Sequence, residues 1–326
     1  MASYHFSVKI IGRSDGRSAV AAAAYRAGEL IERDETGDGQ DYRRKGGVVS
    51  ADILAPEGAA EWARDRSKLW NAVEARETRK NSQLAREIEV ALPHELDDET
   101  ARALVLDWAR TELVELGMIV DVCIHDPEPG PGEERNRHAH ILCTQRQIDE
   151  ARPDGWAKDK NRSWNSPALM QSWRESWADA QNAALKAAGS EARVDHRSLE
   201  DQRTAANEAG DLDLAATLDR PPEPRMGVAA SSMEDKARRS FTRRGEAYEP
   251  VTELGKRVAE SRGLRALLSS GLSRMRAAVV ELTSARAEPV DPFAPAPADD
   301  PFELPQPELS APKDSVDDAD VPSFGM

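Results

Sequence analysis

Residues 4–11 (YHFSVKII) alternate, with Tyr4, Phe6, Val8 and Ile10 on one side and His5, Ser7 and Lys9 on the other. A period of two predicts a half-buried strand. The pattern changes at Ser18. From there to about Arg33 an alanine-rich run predicts a helix, because alanine is the residue that costs least in that conformation. Ser14, Asp15 and Ser18 are its capping candidates. TGDGQDY (36–42) reads as a loop, and 47–54 as a short strand ended by Ala55-Pro56. Trp62, Leu69, Trp70 and Val73 recur at helical spacing over 59–79. Residues 84–92 (LAREIEVAL) read as a strand ended by Pro93. Asp97, Asp98 and Glu99 place negative charge at the positive start of a helix, which runs to Leu116 and stops at Gly117. Two more strands, 118–125 (MIVDVCIH) and 138–144 (HAHILCT), flank a polar Pro/Gly loop. Ser166 and Pro167 open a helix that extends to Ala188 before Gly189.

Strands interleaved with helices make residues 1–200 an α+β unit built on one sheet. Order weakens after about residue 200. Residues 201–285 read as a mostly helical extension, with one or two helices over 250–285. Residues 286–326 are rich in Pro, Asp and Ala and poor in large apolar side chains, so they read as a disordered acidic tail.

Composition narrows the class. The chain has 326 residues, 39% hydrophobic and 32% charged, enough for one or two domains with a core. No run approaches the roughly eighteen apolar residues of a membrane span. The N-terminus lacks the layout of a signal peptide, so the expected compartment is the cytoplasm. Cys123 and Cys143 sit in no CxxC, which excludes a cysteine-rich zinc ribbon. The net charge of −15 argues against a nucleic-acid partner, whose affinity comes from neutralising phosphates. That charge is uneven, however. Residues 301–326 hold one basic and six acidic groups, whereas residues 1–50 hold eight basic and seven acidic, with a cluster at Arg43, Arg44 and Lys45. A local basic groove is compatible with an acidic total.

Three of the six histidines fall on two neighbouring strands. His138 and His140 are two apart, so both leave the same face, roughly 7 Å apart at the backbone. His125 ends the preceding strand, and antiparallel pairing across the loop brings it beside them. Three imidazoles with open positions suit a catalytic metal. The spacing favours zinc and leaves manganese and magnesium open. Glu87 and Glu89 share a face of their strand and are candidates for a general base or for holding a ligand histidine. A solvated strand face is the plainer alternative. His5 is either close to this site or simply exposed.

Tyr25 stands alone among alanines (AAAAYRAG), as either a core anchor or an accessible reactive group. Arg26 beside it is a candidate phosphate contact, as are Arg43, Arg44 and Lys45. Trp156, Trp164, Trp173 and Trp177, near Lys158, Lys160, Arg162 and Arg174, are candidate stacking partners for a single strand. The four-residue spacing of Trp173 and Trp177 on a helix favours core packing for at least one of them.

The segments YHFSVKIIGRSDGRSAVAAAAYRAG, REIEVALP (86–93), IHDP and RHAHIL (124–142) and VDHRSL (194–199) stand in an order and spacing that resembles the MobA/MobL plasmid mobilisation relaxases of the HUH endonuclease superfamily. A weaker echo is PEPRMGVAASSMEDKARRSFTRRGE (222–246). The resemblance implies a five-stranded, mostly antiparallel sheet packed with helices. It implies a strand-specific nick at an origin of transfer, with Tyr25 as nucleophile, a 5′-phosphotyrosine product and later rejoining. His125, His138 and His140 match the metal ligands for Mn²⁺ or Mg²⁺ (Zn²⁺ as alternative), and Glu87 and Glu89 match acidic residues near them. His196 falls in a recurrent segment without an assigned role. Implied partners are single-stranded DNA at the origin, accessory relaxosome proteins and a type IV coupling protein, in a bacterial cytoplasm, with passage into the recipient alongside the DNA. Competing readings are a rolling-circle initiator or transposase of the same superfamily, a three-histidine zinc hydrolase, and an origin-binding accessory protein. The order of Tyr25 ahead of the histidine pair favours the relaxase.

Overall fold

The computed structural model describes residues 4–128 and 136–285. Through Leu272 they form one compact unit, and the last turns of the final helix, from Ser273, fall in a second. The acidic tail expected over 286–326 lies outside the described residues, as do residues 129–135 of the histidine-flanked loop.

The alternating N-terminal run forms β1 (Phe6–Gly12). Helix α1 (Ala19–Ala27) follows, and Ser18 is the cap, its side chain accepting from the Ala21 backbone N–H. This helix is shorter than the alanine run suggests. Gly28 adopts φ 68°, a left-handed conformation that ends the helix. The rest of the run forms β2 (Leu30–Glu32), which pairs antiparallel with β3 (Gly39–Asp41). The stretch 36–42 is therefore part of a hairpin and not only a loop. Its signal was hidden because of six strand residues only Ile31 is buried.

Next come β4 (Val48–Leu54), α2 (Arg66–Arg76), β5 (Gln83–Ala91) and α3 (Asp98–Ala109). A π turn, Arg110–Val114, extends α3. Then follow β6 (Val120–His125) and β7 (His138–Thr144). Helix α4 (Pro167–Ala187) starts at the Ser166 cap with proline in its first turn. Beyond it lie α5 (Leu199–Glu208), α6 (Leu212–Leu218), α7 (Val228–Arg244) and one long helix, α8 (Glu253–Ala285). None of the described helices is long and apolar enough to cross a membrane.

The main sheet has five strands in the order β1-β5-β7-β6-β4, and every neighbouring pair is antiparallel. One face carries Phe6, Ile88, Val90, Ile124, Ala139 and Ile141 and packs on α3 and α4. There Trp164, Trp173 and Trp177 are buried at 2% exposure or less. Trp156 is equally buried in the other core, against the edge of Trp62. None of these four indoles is available to stack on a base, so the stacking expectation is overturned: each supplies apolar area to a core instead. The opposite face carries the histidines and is half covered by α1 and α2. Cys123 and Cys143 are both free thiols. They leave opposite faces of the sheet, so they cannot pair.

Candidate active site

The strand register builds the site. His125 lies directly opposite His138, and Cys123 opposite His140. His138 and His140 share a face because they are two apart, and His125 shares it because antiparallel partners point the same way. The ring centroids are 5.3, 4.8 and 5.0 Å apart, and one nitrogen from each ring falls within 4.8 Å of the others.

Each ring has one nitrogen committed to an oxygen. His125 Nε2 lies 2.7 Å from the Arg26 carbonyl, His138 Nδ1 2.7 Å from the Asn136 carbonyl, and His140 Nδ1 2.7 Å from Glu87 Oε1. Carbonyls and an ionised carboxylate only accept, so these nitrogens carry the protons. His125 Nδ1, His138 Nε2 and His140 Nε2 are the ring nitrogens that these oxygens leave for a metal. Burial reinforces this, pushing the His125 imidazole down to about 3 and the His138 imidazole below its ordinary value. Three imidazoles, each oriented by a hydrogen bond on its far side, are the donor set a divalent metal needs.

Glu87 and Glu89 share a face, as their spacing indicates, but their surroundings differ. Glu87 is buried, so a solvated face is the wrong description for it. Its Oε1 accepts from His140 and from Arg26, at 2.7 Å from Nε and 2.6 Å from Nη2. Burial alone would raise this carboxyl, but the His140 hydrogen bond and the Arg26 charge hold it at about 2. Glu89 is half-buried, paired with Lys9 at 2.7 Å, with His5 3.8 Å away. Both carboxylates also lie near His140 in a second acidic cluster. Arg26 and Lys9 already neutralise that cluster, so the histidine triad is the better cation site.

Tyr25 is 47% exposed, which removes the core-anchor reading. Val20, Ala23, Ala24 and Ala27 form the buried stripe of α1, and Tyr25 falls on its other side. Its ring meets Tyr42 edge-on at 5.2 Å. Lys45 lies over the ring, with Nζ 3.9 Å from the centroid. Lys45 Nζ also donates to the Tyr25 carbonyl at 3.0 Å and sits 3.4 and 3.3 Å from the two ring nitrogens of His125. Burial and the nearby Arg26 lower the Lys45 ammonium to about 8. The other predicted phosphate contacts fare differently. Arg26 is bound to Glu87, Arg43 is forked onto Asp41 at 3.0 and 2.8 Å, and Arg44 is exposed. Lys160 is tied to Glu77 at 3.1 Å. His196 lies just before α5.

Two buried carboxylates that place α1 went unnoticed in the sequence. Glu74 of α2 accepts from Ser18 Oγ at 2.6 Å and the Val20 N–H at 3.2 Å, closing the start of α1. Asp121, on the strand that ends in His125, accepts from Arg66 at 2.8 and 2.9 Å and from the Trp70 indole at 2.9 Å. Arg66 in turn holds Glu29, just past the end of α1, at 2.5 Å. The signal for Asp121 was its place in MIVDVCIH, a lone acid in an apolar strand at the same parity as His125.

A model of the MobA/MobL family matches residues 17–236. Mobilization protein MobL of Acidithiobacillus ferridurans is 35% identical over 312 residues, covering 86% of this chain and 78% of its own length. Conjugal transfer protein TraA of Agrobacterium fabrum is 31% identical over 273 residues, covering 74% of this chain, which spans only 23% of that relative. A solved structure described as the molecular basis of vancomycin resistance transfer in Staphylococcus aureus is similar at 36% identity and a TM-score of 0.55. It covers 60% of this chain and all of its own.

Proposed function

The chain belongs to the MobA/MobL family, and from that premise we propose that it is a relaxase that nicks one DNA strand at a plasmid origin of transfer. The observation that carries this reading is the exposed Tyr25 beside three clustered imidazoles, one nitrogen of each within 4.8 Å of the others. Tyr25 Oη attacks the scissile phosphorus in line. The Oη–P bond forms as the P–O3′ bond breaks, the phenolic proton passes to solvent, and the departing O3′ takes up a proton. The products are a 5′-phosphotyrosine and a free 3′-hydroxyl. One phosphodiester replaces another, so a 3′-hydroxyl can reverse the step and reseal the strand.

His125, His138 and His140 would hold the divalent metal, which supplies Lewis-acid polarisation of the phosphate when bound. Manganese or magnesium is the expected ion, and zinc is the alternative that three imidazoles favour. Glu87 orients His140 and anchors Arg26, and through Arg26 it holds the nucleophile's helix against the ligand strand. Glu89 and Lys9 form a polar margin beside them. Arg43, Arg44 and Lys45 lie on the loop after the β2–β3 hairpin, where a strand entering toward Tyr25 would pass. Residues 1–200 are assigned to the nickase and 201–285 to a helical extension. Accessory origin-binding proteins and a coupling protein are the partners expected for transfer, with the protein accompanying the DNA into the recipient.

The test is covalent attachment. Protein and its Tyr25→Phe variant are incubated with each metal and with single-stranded oligonucleotides tiled across the DNA flanking the gene, then run on a denaturing gel. A metal-dependent adduct that vanishes in the variant is expected. Cleavage without an adduct, equal in both proteins, refutes the tyrosine mechanism in favour of hydrolysis by metal-bound water.

A further inference from the structure

The Lys45 side chain touches both halves of the site. Its ammonium is packed on the Tyr25 ring face, bonded to the Tyr25 backbone, and set against the edge of His125. No carboxylate accepts from it among the described residues. In contrast, Arg26 is committed to Glu87, Arg43 to Asp41 and Lys9 to Glu89. The loop that carries it is fixed in place. Gly47 adopts φ 80°, where a Cβ would come 3.0 Å from Pro127 Cα, and its carbonyl accepts from the Asp126 N–H at 2.7 Å. Lys45 is thus stitched to the residues immediately after a metal ligand while its head rests on the nucleophile.

Resting on the relaxase reading, we propose that Lys45 is a catalytic residue: it orders the Tyr25 ring before DNA arrives, then donates to a non-bridging oxygen of the scissile phosphate while Tyr25 attacks. Nζ sits between the Tyr25 ring face and the His125 imidazole, so a phosphate held between Tyr25 and the triad would come close to it. Three N–H donors on a flexible stem allow the ammonium to keep the Tyr25 carbonyl and still reach a phosphate oxygen. The phosphodiester carries one negative charge in the ground state and approaches two in the transition state. A cation there therefore binds the transition state more strongly than the substrate. The bonds made and broken are those of the nicking step, and Lys45 keeps its proton throughout.

The experiment is a cycle between Lys45 and the scissile phosphate. Native protein and Lys45→Met are tested on the cleaved strand and on the same strand with an uncharged methylphosphonate at the scissile linkage. Affinity is measured in metal-free buffer by fluorescence anisotropy, and single-turnover cleavage of the unmodified strand at saturating DNA in manganese. Lys45→Met is expected to lose about 10²–10³-fold in cleavage rate and less than about tenfold in affinity. The affinity lost on making the linkage neutral is expected in the native protein and absent in the variant, because the two changes remove one contact. Lys45→Arg should recover at least part of the rate. Cleavage by Lys45→Met within about threefold of native, or fully additive effects on affinity, overturns the proposal. If Lys45→Met does not fold, Lys45→Gln replaces it with the same expected and overturning results. A native protein that forms no adduct at all refutes the relaxase reading itself, an outcome separate from either of these.

Discussion

Replacing Glu87 by glutamine tests whether the ligand strand and the nucleophile helix are held together by charge. The change keeps the volume and one acceptor oxygen but removes the negative charge that receives His140 at 2.7 Å and Arg26 at 2.7 and 2.6 Å. Hydrogen bonds to an ionised acceptor contribute about 1.5–3 kcal/mol net, and neutral ones about 0.5–1.5. Weakening these contacts while leaving Arg26 largely buried without a counter-charge gives a loss of about 3 kcal/mol. For a unit of this size that is roughly 6–12 °C in unfolding midpoint. His140 also loses the partner that fixes its ring, which should cost about 10–100-fold in metal affinity. Thermal unfolding and manganese titration by calorimetry, each on native and Glu87→Gln protein, read the two effects separately. A variant with an unchanged midpoint and unchanged manganese affinity would show that Glu87 neither anchors α1 nor orients His140.

Two further outcomes follow from the packing. Trp173→Ala should cost about 3–5 kcal/mol in urea unfolding, because the indole is fully buried against α4's neighbours; unchanged stability with lost DNA affinity would restore a stacking role. Glu234 accepts from Tyr248 Oη at 2.6 Å, from the Thr252 and Val251 N–H groups at 2.8 and 3.1 Å, and from Thr252 Oγ1; burial would raise this carboxyl, but those bonds hold it at about 2. Depressed in the folded state, it stabilises above its unfolded value of about 4.3 and loses that contribution as pH falls from about 4.3 toward 2. The difference in unfolding free energy between native and Glu234→Gln protein should therefore shrink over that window, and a difference that is flat with pH would refute the assignment.

The clustering of the three histidines is legible in the sequence because it depends on parity. HxH on a strand must share a face, and an antiparallel return from His125 must meet it, so residue spacing fixes the geometry. The division of labour between Glu87 and Glu89 was not legible. Both have the right parity, and what buries one of them is Arg26, brought from 61 residues away by the packing of α1. The tryptophans are ambiguous for a related reason: a Trp near basic residues looks the same in sequence whether it faces a strand of DNA or a core, and only the four-residue spacing of Trp173 and Trp177 points to the core they occupy. Tyr25 could be found from the family motif, but its exposure depends on where the buried stripe of α1 falls. Lys45 was visible only as part of a basic cluster. Its contacts require the β2–β3 hairpin, whose three-residue strands have too little apolar patterning to announce themselves.

Both margins of the five-stranded sheet, β1 and β4, come from the first 54 residues, and α1 lies between them in the chain. The three strands that carry the ligands and Glu87 are enclosed on either side by this one segment. A strand of DNA joined to Tyr25 would thus be attached midway along a cable made fast at both ends. Tension on that DNA is shared between two ladders on opposite edges, one registered from Phe6 to Gly12 and the other from Val48 to Leu54. Hauling Tyr25 away from the histidine triad would require peeling an edge strand from the sheet, so with Tyr25 as nucleophile the arrangement needed for rejoining would be protected while the DNA is moved.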